Sequence, residues 1–210
     1  MYDARGRVVG ARPRRAARAS GLAVGAVNAL VVNAAGEVLL QRRRPGKENG
    51  GLWDKTVGGH VSAGEDFDDC VVREAGEELF GDGGSDRVRL AGDRSRFRRL
   101  LARGAARRGV LLHRVSLQLN LRDVRHGGRG GTLNVVYHVG VYLGRTDLPR
   151  RAFHPDPGEL AGLRYFTPAR VDRMLLAGEL APNMAYLWLT QGQALLSLVR
   201  RGRGSVRRRS

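Results

Sequence analysis

Cysteine, lysine and long apolar segments are scarce in this sequence, and each shortage excludes a class of protein. Cys70 is the single cysteine, so no intramolecular disulfide can form, and a reducing location such as the cytoplasm is the default expectation. The longest apolar run, residues 21–32, contains Asn28 and is too short to cross a bilayer, so we expect no membrane insertion.

Acidic residues are also few, and the formal net charge of +17 would suit a protein that binds nucleic acid by releasing counterions. Only Lys47 and Lys55 are lysines, so 35 of the 37 basic residues are arginines, a bias typical of codon usage. The arginines are not interleaved with the aromatic residues that stack on bases. We therefore predict no more than non-specific binding of nucleic acid to the Arg-rich termini.

The N terminus is open to several interpretations. Arg14 and Arg15 before the apolar run imitate a secretory signal, and an Arg-rich, acid-poor start also occurs in organelle transit peptides. A hairpin fits better, because residues 23–32 and 37–41 have the pattern of two strands joined by a turn at residues 34–36. Cleavage there would remove a core strand, so export is disfavoured, while the transit peptide stays open.

The chain is long enough for one domain with extensions. We expect a basic arm at residues 1–21, the main domain at 22–182 with an insertion around 85–114, and a last helix with a basic tail at 183–210. Strand and helix patterns mix without regular alternation, which predicts an α/β or α+β fold with a mixed sheet enclosed by helices. Further strands are predicted at residues 56–61, 115–124 and 133–143, and helices at 67–80, 168–177 and 184–199.

Two segments stay undecided. The arm contains one apolar pair, Val8-Val9, which could add a strand at the edge of the sheet. The insertion carries a candidate basic helix at residues 94–108, which Gly104 interrupts. A lid, a dimer contact and a disordered segment are all open for the insertion, so a homodimer remains an alternative.

Acidic residues concentrate in one place, because seven of the twenty fall between Glu65 and Glu78. Each residue of a helix turns about 100°, so Glu74, Glu77 and Glu78 lie within one sector of about 100°. A charge run usually marks a solvated face opposite the apolar stripe. Here Val71 points in nearly the same direction as Glu74 and Glu78, so the acids are predicted at the edge of the core.

Carboxylates three and four residues apart repel one another, and more strongly when they lose solvent. A cation is needed to compensate. Hard divalent cations, Mg²⁺ above all and Mn²⁺ as an alternative, take oxygen ligands and share them with substrate phosphates. The pattern therefore favours a metal site over a solvated face.

The spacing around these acids resembles the signature of the Nudix family. Gly59 is followed after five residues by Glu65, and after seven more by Arg73-Glu74-x-x-Glu77-Glu78. One position departs from the signature, because the glycine expected two residues after the last glutamate is replaced by Phe80, with Gly81 next. A glycine shifted by one residue can still end the helix.

The resemblance covers about residues 2–188 and implies a Nudix-type α/β/α sandwich with a mixed β-sheet. It also implies a Mg²⁺-dependent hydrolase of a diphosphate linkage in a nucleotide-like small molecule, such as a nucleoside diphosphate linked to another moiety. Residues 3–6, 39–43, 51–54 and 165–168 lean toward the branch similar to isopentenyl-diphosphate isomerase. Isomerase activity is disfavoured, because Gly58 stands where that enzyme has a catalytic cysteine and His60 alone matches its metal-binding histidines.

Carried over residue by residue, the resemblance implies that Glu74 and Glu78 bind the metal. Glu77 would be a further ligand, and the carbonyl of Gly58 would be a backbone ligand.

Catalysis is assigned by the same resemblance to Arg73, Glu74, Glu77 and Glu159. Glu74 and Glu159 are alternative bases, and plain surface exposure is the alternative for Glu159. Arg73 would hold the carboxylates in place, although geometry alone leaves open an ordinary surface ion pair. Glu65 would pair with Arg73 or support a second metal through water.

Substrate binding is assigned to cations near the end of a strand. Arg42, Arg43 and Lys47 could grip phosphate oxygens, since guanidinium groups match phosphate geometry. Trp53 is assigned to substrate stacking, with filling of the core as the favoured alternative. Two other functions remain: a non-catalytic sensor of nucleotide or RNA, which the intact acids disfavour, and the isomerase.

Overall fold

The computed structural model describes residues 1–81, 83–126, 132–158 and 160–200. Eight strands in this described part form one sheet, which five helices accompany. The strands are β1 (Val24–Val32), β2 (Val38–Arg43), β3 (Trp53–Asp54), β4 (Val57–His60), β5 (Val88–Ala91), β6 (Val110–His126), β7 (Thr132–Arg145) and β8 (Leu160–Phe166). The helices are α1 (Arg14–Ala19), α2 (Phe67–Phe80), α3 (Arg94–Ala102), α4 (Pro168–Leu176) and α5 (Pro182–Arg200).

The sheet is mixed, as predicted. Its strand order is β3-β2-β1-β7-β6-β5, with β4 paired to β1 and β8 paired to β2. The β1–β7 and β5–β6 pairs are parallel, and the other pairs are antiparallel. The predicted hairpin is confirmed by β1 and β2, in which Val31 lies opposite Leu39.

Side chains that alternate along β1 build a core on each face of the sheet. Leu30 and Val32 belong to the cluster that also holds residues of α4 and α5, such as Met174. Ala29 and Val31 belong to the opposite cluster with residues of α2. This arrangement confirms the predicted α/β/α sandwich, because an alternating strand buried on both faces needs helices on both sides.

The helix that carries the acidic residues has the predicted limits. Its N-cap is Asp66, whose carboxylate accepts hydrogen bonds from the backbone N–H groups of Asp68 and Asp69. Its end is set by Gly81, which has a φ of 79° and donates its N–H to the carbonyl of Glu77. The glycine shifted by one residue therefore still ends the helix.

Residues 85–114 extend the sheet. The strand β5 pairs in parallel with β6, from Val88 opposite Val110 to Ala91 opposite His113. The basic helix is shorter than predicted, because Gly104 adopts a φ of 77° just after α3. Phe97 anchors α3 with 1% of its surface exposed. This segment is therefore part of the folded domain.

No continuous strand forms at Val8-Val9, which the sequence left open as an edge strand, but isolated bridges join Val8 to Tyr2 and Tyr2 to Ala23 beside β1. The side chains of Val8 and Val9 are 72% and 50% exposed, so they do not anchor the arm in the core. The arm is instead held by Tyr2, which is buried and lies 5.6 Å from the ring of Phe67. Ala17 of α1 is also buried in the core.

The helices predicted at residues 168–177 and 184–199 are confirmed by α4 and α5. None of the helices in the described part of the chain has the length and apolar character needed to cross a bilayer. The predicted basic tail, from residue 201 onward, lies outside the described residues, as does the glycine-rich turn at 127–131.

Truncation of Leu79 tests whether α2 depends on the core for its position. Leu79 is fully buried against the sheet, whereas Leu176 on α4 is 88% exposed. We expect Leu79→Ala to lower the free energy of unfolding by about 2–5 kcal/mol, since it leaves a cavity. Leu176→Ala should change it by less than about 0.5 kcal/mol in the same urea titrations. Equal effects of the two substitutions would contradict this packing.

Candidate active site

Arg73 joins the acidic side chains around α2. Its Nε lies 2.8 Å from an oxygen of Glu65, and its Nη1 lies 3.0 Å from Glu74 and 3.1 Å from Glu77. The hydrogen bond from Arg73 is the main reason that the pKa of Glu65 is lowered. Glu65 thus forms the ion pair that was one of its two predicted roles, and one guanidinium compensates three carboxylates.

Glu78 has a different environment from Glu77, although both lie in the same helical sector. Glu77 is half exposed, whereas the Glu78 carboxylate accepts a hydrogen bond of 3.0 Å from the N–H of Gly58. Burial raises the pKa of Glu78 to about 8, and the nearby charges of Glu74 and Asp54 act in the same direction. Without a bound cation the protein therefore favours the protonated form of Glu78, and an added cation would favour the ionised form.

Gly59 is needed because Glu74 lies directly against the backbone of β4. A Cβ atom at Gly59 would stand 1.9 Å from the Cδ atom of Glu74, well inside the contact distance of two carbon atoms. Burial also raises the pKa of Glu74, and Arg73 opposes that shift. Glu74 therefore lies against strand β4, and the same strand borders a cleft on its other side.

A cleft of about 370 Å³ opens on the other side of Gly58 and Gly59. Its walls come from elements far apart in the sequence: the end of α1, strands β6 and β7, and the start of α5. Both signs of charge and two tyrosines, Tyr137 and Tyr186, line it. A mixed polar and aromatic cleft next to buried carboxylates is suited to a charged, ring-containing small molecule.

Two buried charges beside Gly58 were missed by the sequence analysis. Asp54 is 3% exposed and Lys55 is 7% exposed, and their side chains lie 3.2 Å apart. Lys55 lies over Gly58 so closely that a Cβ atom there would stand 2.1 Å from its Cε atom. The only signal in the sequence is an adjacent Asp-Lys pair after Trp53, which does not indicate burial.

The cations predicted to bind substrate are dispersed. Arg43 lines the cleft, whereas Arg42, Lys47 and Trp53 are not among the residues described along its walls. The ring of Trp53 lies 4.6 Å from that of Phe166 in an edge-to-face arrangement, and its placement agrees with the favoured alternative of filling the core. Glu159, the alternative base, lies outside the described residues.

Cys70 is fully buried beneath this region. Burial raises the pKa of its thiol, so the thiolate needed for nucleophilic chemistry is disfavoured. Cys70 is therefore a small core residue.

The chemistry of the donors suits a hard divalent cation. Glu74 and Glu78 are partly buried carboxylates of raised pKa, and oxygen ligands with uncompensated charge are what Mg²⁺ prefers. Within the described ranges, no three His, Cys, Asp or Glu side chains are already grouped as a ligand set. The fit therefore rests on charge and donor type.

Comparison with known families matches residues 23–189 to the NUDIX domain. Over 78 residues the chain is 41% identical to an uncharacterized Nudix hydrolase of Pseudomonas aeruginosa, a match covering 37% of this chain and 46% of that protein. Over 55 residues it is 42% identical to an isopentenyl-diphosphate Delta-isomerase of Paenarthrobacter aurescens, covering 26% and 30%. The matched segments thus span less than half of either relative.

Among solved structures, a crystal structure of a Deinococcus radiodurans protein resembles this chain. It covers 96% of both chains with a TM-score of 0.58 and 23% sequence identity. At that identity the likeness concerns the fold.

The raised pKa of Glu78 predicts how the metal-free protein responds to pH. A carboxyl with a pKa of about 8 when folded and about 4.5 when unfolded binds more protons in the folded state between these values. The free energy of unfolding should therefore fall as pH rises through this window, by at most about 1.4 kcal/mol per pH unit from this group. Urea titrations with a chelator, compared with Glu78→Gln, would measure it. A pH profile that is the same in both proteins would contradict the assignment.

Proposed function

This chain belongs to the NUDIX family, and from that premise we propose that it is a Mg²⁺-dependent hydrolase of a diphosphate linkage in a nucleotide-like substrate. The observation that carries the proposal is the position of Glu74 and Glu78 against Gly59 and Gly58, which in turn line the cleft. The acidic side chains of α2 and a cleft large enough for a small molecule thus border the same two glycines, Gly58 and Gly59. We place the reaction in the cytoplasm, since the single cysteine is free.

Glu74, Glu78 and the carbonyl of Gly58 would hold the metal, with Glu77 as an outer ligand. Bound Mg²⁺ would neutralise phosphate charge and lower the pKa of a water molecule. Arg73 keeps the carboxylates oriented through its contacts to Glu74 and Glu77, and would act as a positioning residue. Its donors are directed at side chains of its own helix and of Glu65, which supports this role over substrate binding.

Glu74 is the proposed proton acceptor. Its raised pKa makes it a better base than an ordinary surface carboxylate, and it lies at the strand that borders the cleft. Glu77 is half exposed and paired to Arg73, which suits a supporting role. The diphosphate would lie beside Gly58 and Gly59, and the rest of the substrate would extend along the cleft toward Tyr186.

The isomerase alternative is disfavoured by the residue at position 58. That reaction would need a cysteine at Gly58, where any side chain would displace Lys55. The sensor alternative predicts binding without turnover, and a hydrolysis assay separates it from the proposal.

The first test is a Mg²⁺-dependent hydrolysis screen over nucleoside diphosphates, nucleotide sugars, dinucleotides and prenyl diphosphates. Glu78→Gln should lower kcat/KM at least about 100-fold, because stabilisation by the metal is worth several kcal/mol. Glu179→Gln is the matched control, since Glu179 pairs with Arg170 on α4 and should keep full activity. Nucleotide binding without turnover across the screen would favour the sensor, and interconversion of prenyl diphosphates would favour the isomerase.

Substitution of Gly59 by alanine tests whether Glu74 must lie against the backbone of β4. Gly59→Ala must push the Glu74 carboxylate away from β4, so we expect kcat to fall at least about tenfold, as loss of a positioned base does. Gly92→Ala is the control, because a Cβ atom there meets nothing within 4 Å. Thermal unfolding measured alongside would show whether the fold survives. Full activity of Gly59→Ala would show that catalysis does not need the close approach of Glu74 to β4.

A further inference from the structure

The amino-terminal arm places an arginine in the wall of the cleft. Ala17 of α1 is 4% exposed and packs in the core with Tyr137 and Val24. The next residue, Arg18, is thereby directed into the cleft, where it lies with Lys55 and Asp123. The arm expected from the sequence to be only a basic extension thus contributes a side chain to the candidate site.

Arg18 is held next to the glycines of β4. Its Nη2 lies 3.0 Å from Nε2 of His60, the residue that follows Gly58 and Gly59. An arginine can only donate, so the imidazole nitrogen is the acceptor in this contact, and its proton is on Nδ1. A neutral imidazole is a weaker acceptor than a phosphate oxygen.

A second donor of the same guanidinium is unused. The Nε of Arg18 is buried, and no hydrogen-bond partner for it occurs in the described part of the chain. A buried donor without a partner costs free energy that a ligand oxygen would recover. The guanidinium therefore has one donor, Nη2, bonded to a weak acceptor, and another, Nε, without a partner in the described part of the chain.

Arg18 shares the walls of the cleft with Lys55 and Asp123. Burial raises the pKa of Asp123, and the charges of Arg18 and Lys55 both oppose this shift. Arg18 and Lys55 therefore both act electrostatically on Asp123 from the walls of the cleft.

We infer that Arg18 is a substrate-binding residue, which donates to a phosphate oxygen of the diphosphate from the wall of the cleft beside His60. The inference rests on the proposed function as a diphosphate hydrolase. A guanidinium presents donors in a planar fork that matches two phosphate oxygens. Phosphate replaces His60 as the acceptor for Nη2 and gives Nε the partner that it lacks.

The test uses methylenediphosphonate, a diphosphate analogue that is not hydrolysed, titrated into the full-length protein with saturating Mg²⁺ and followed by NMR. Arg18→Gln should weaken binding about 10- to 100-fold, as loss of a charge-assisted hydrogen bond does. Arg18→Lys, which keeps the charge and loses the fork, should fall between Arg18→Gln and the wild type. The matched control is Arg15→Gln, since Arg15 is an exposed residue of the same helix and should bind like the wild type.

A purely structural role for Arg18 predicts a lower unfolding temperature with unchanged affinity, and that result would overturn the inference. Equal affinity of wild type and Arg18→Gln would overturn it as well. If Arg18→Gln does not fold, Arg18→Lys decides alone: a loss of affinity supports the assignment, and unchanged affinity overturns it.

Kinetics separate this inference from the proposed function. With the diphosphate that the wild type hydrolyses, Arg18→Gln should raise KM about 10- to 100-fold and change kcat by less than about threefold, as loss of ground-state binding does. Turnover with an unchanged KM would overturn the role of Arg18 and leave the hydrolase standing. Weaker methylenediphosphonate binding by Arg18→Gln, with no diphosphate hydrolysed by the wild type, would support Arg18 and overturn the hydrolase.

Discussion

The close approach of α2 to two glycines of β4 is the constraint on which the site depends. Gly59 leaves room for the carboxylate of Glu74, and the backbone N–H of Gly58 donates to Glu78. A side chain at Gly59 would push Glu74 away from the strand, and one at Gly58 would displace Lys55. Because the same glycines border the cleft, the acids come close to a ligand without being exposed on the surface.

The acidic side chains around α2 repel one another, and the protein compensates their charges to different extents. Arg73 pairs with Glu65, Glu74 and Glu77, so the outer charges are compensated within the helix and its preceding loop. Glu78 receives one backbone N–H and the distant charge of Lys55, which do not outweigh burial. In the proposed function, this uneven compensation would favour an added cation, since a fully paired cluster would have no charge left for a metal to neutralise.

The cleft is assembled from distant parts of the chain, and the arm is one of them. Tyr2 and Ala17 bury apolar surface on the domain, although most of the arm is polar. Their burial brings Arg18 to His60, 42 residues later in the chain. Residues 85–114 have no such part in the site, since they continue the sheet at β5, away from the glycines.

The sequence by itself determined the fold class, the hairpin of β1 and β2, and the limits of α2, because caps, turns and helical spacing are local. Asp66, Gly81 and the order of the acids could be interpreted correctly for this reason. Only the tertiary structure decided that Glu78 is partly buried against Gly58 while Glu77 is exposed, and that Trp53 packs against Phe166. It also decided that Arg18, Lys55 and Asp123 share one cleft, because contacts between strands and segments far apart in the chain leave no periodic trace in the sequence.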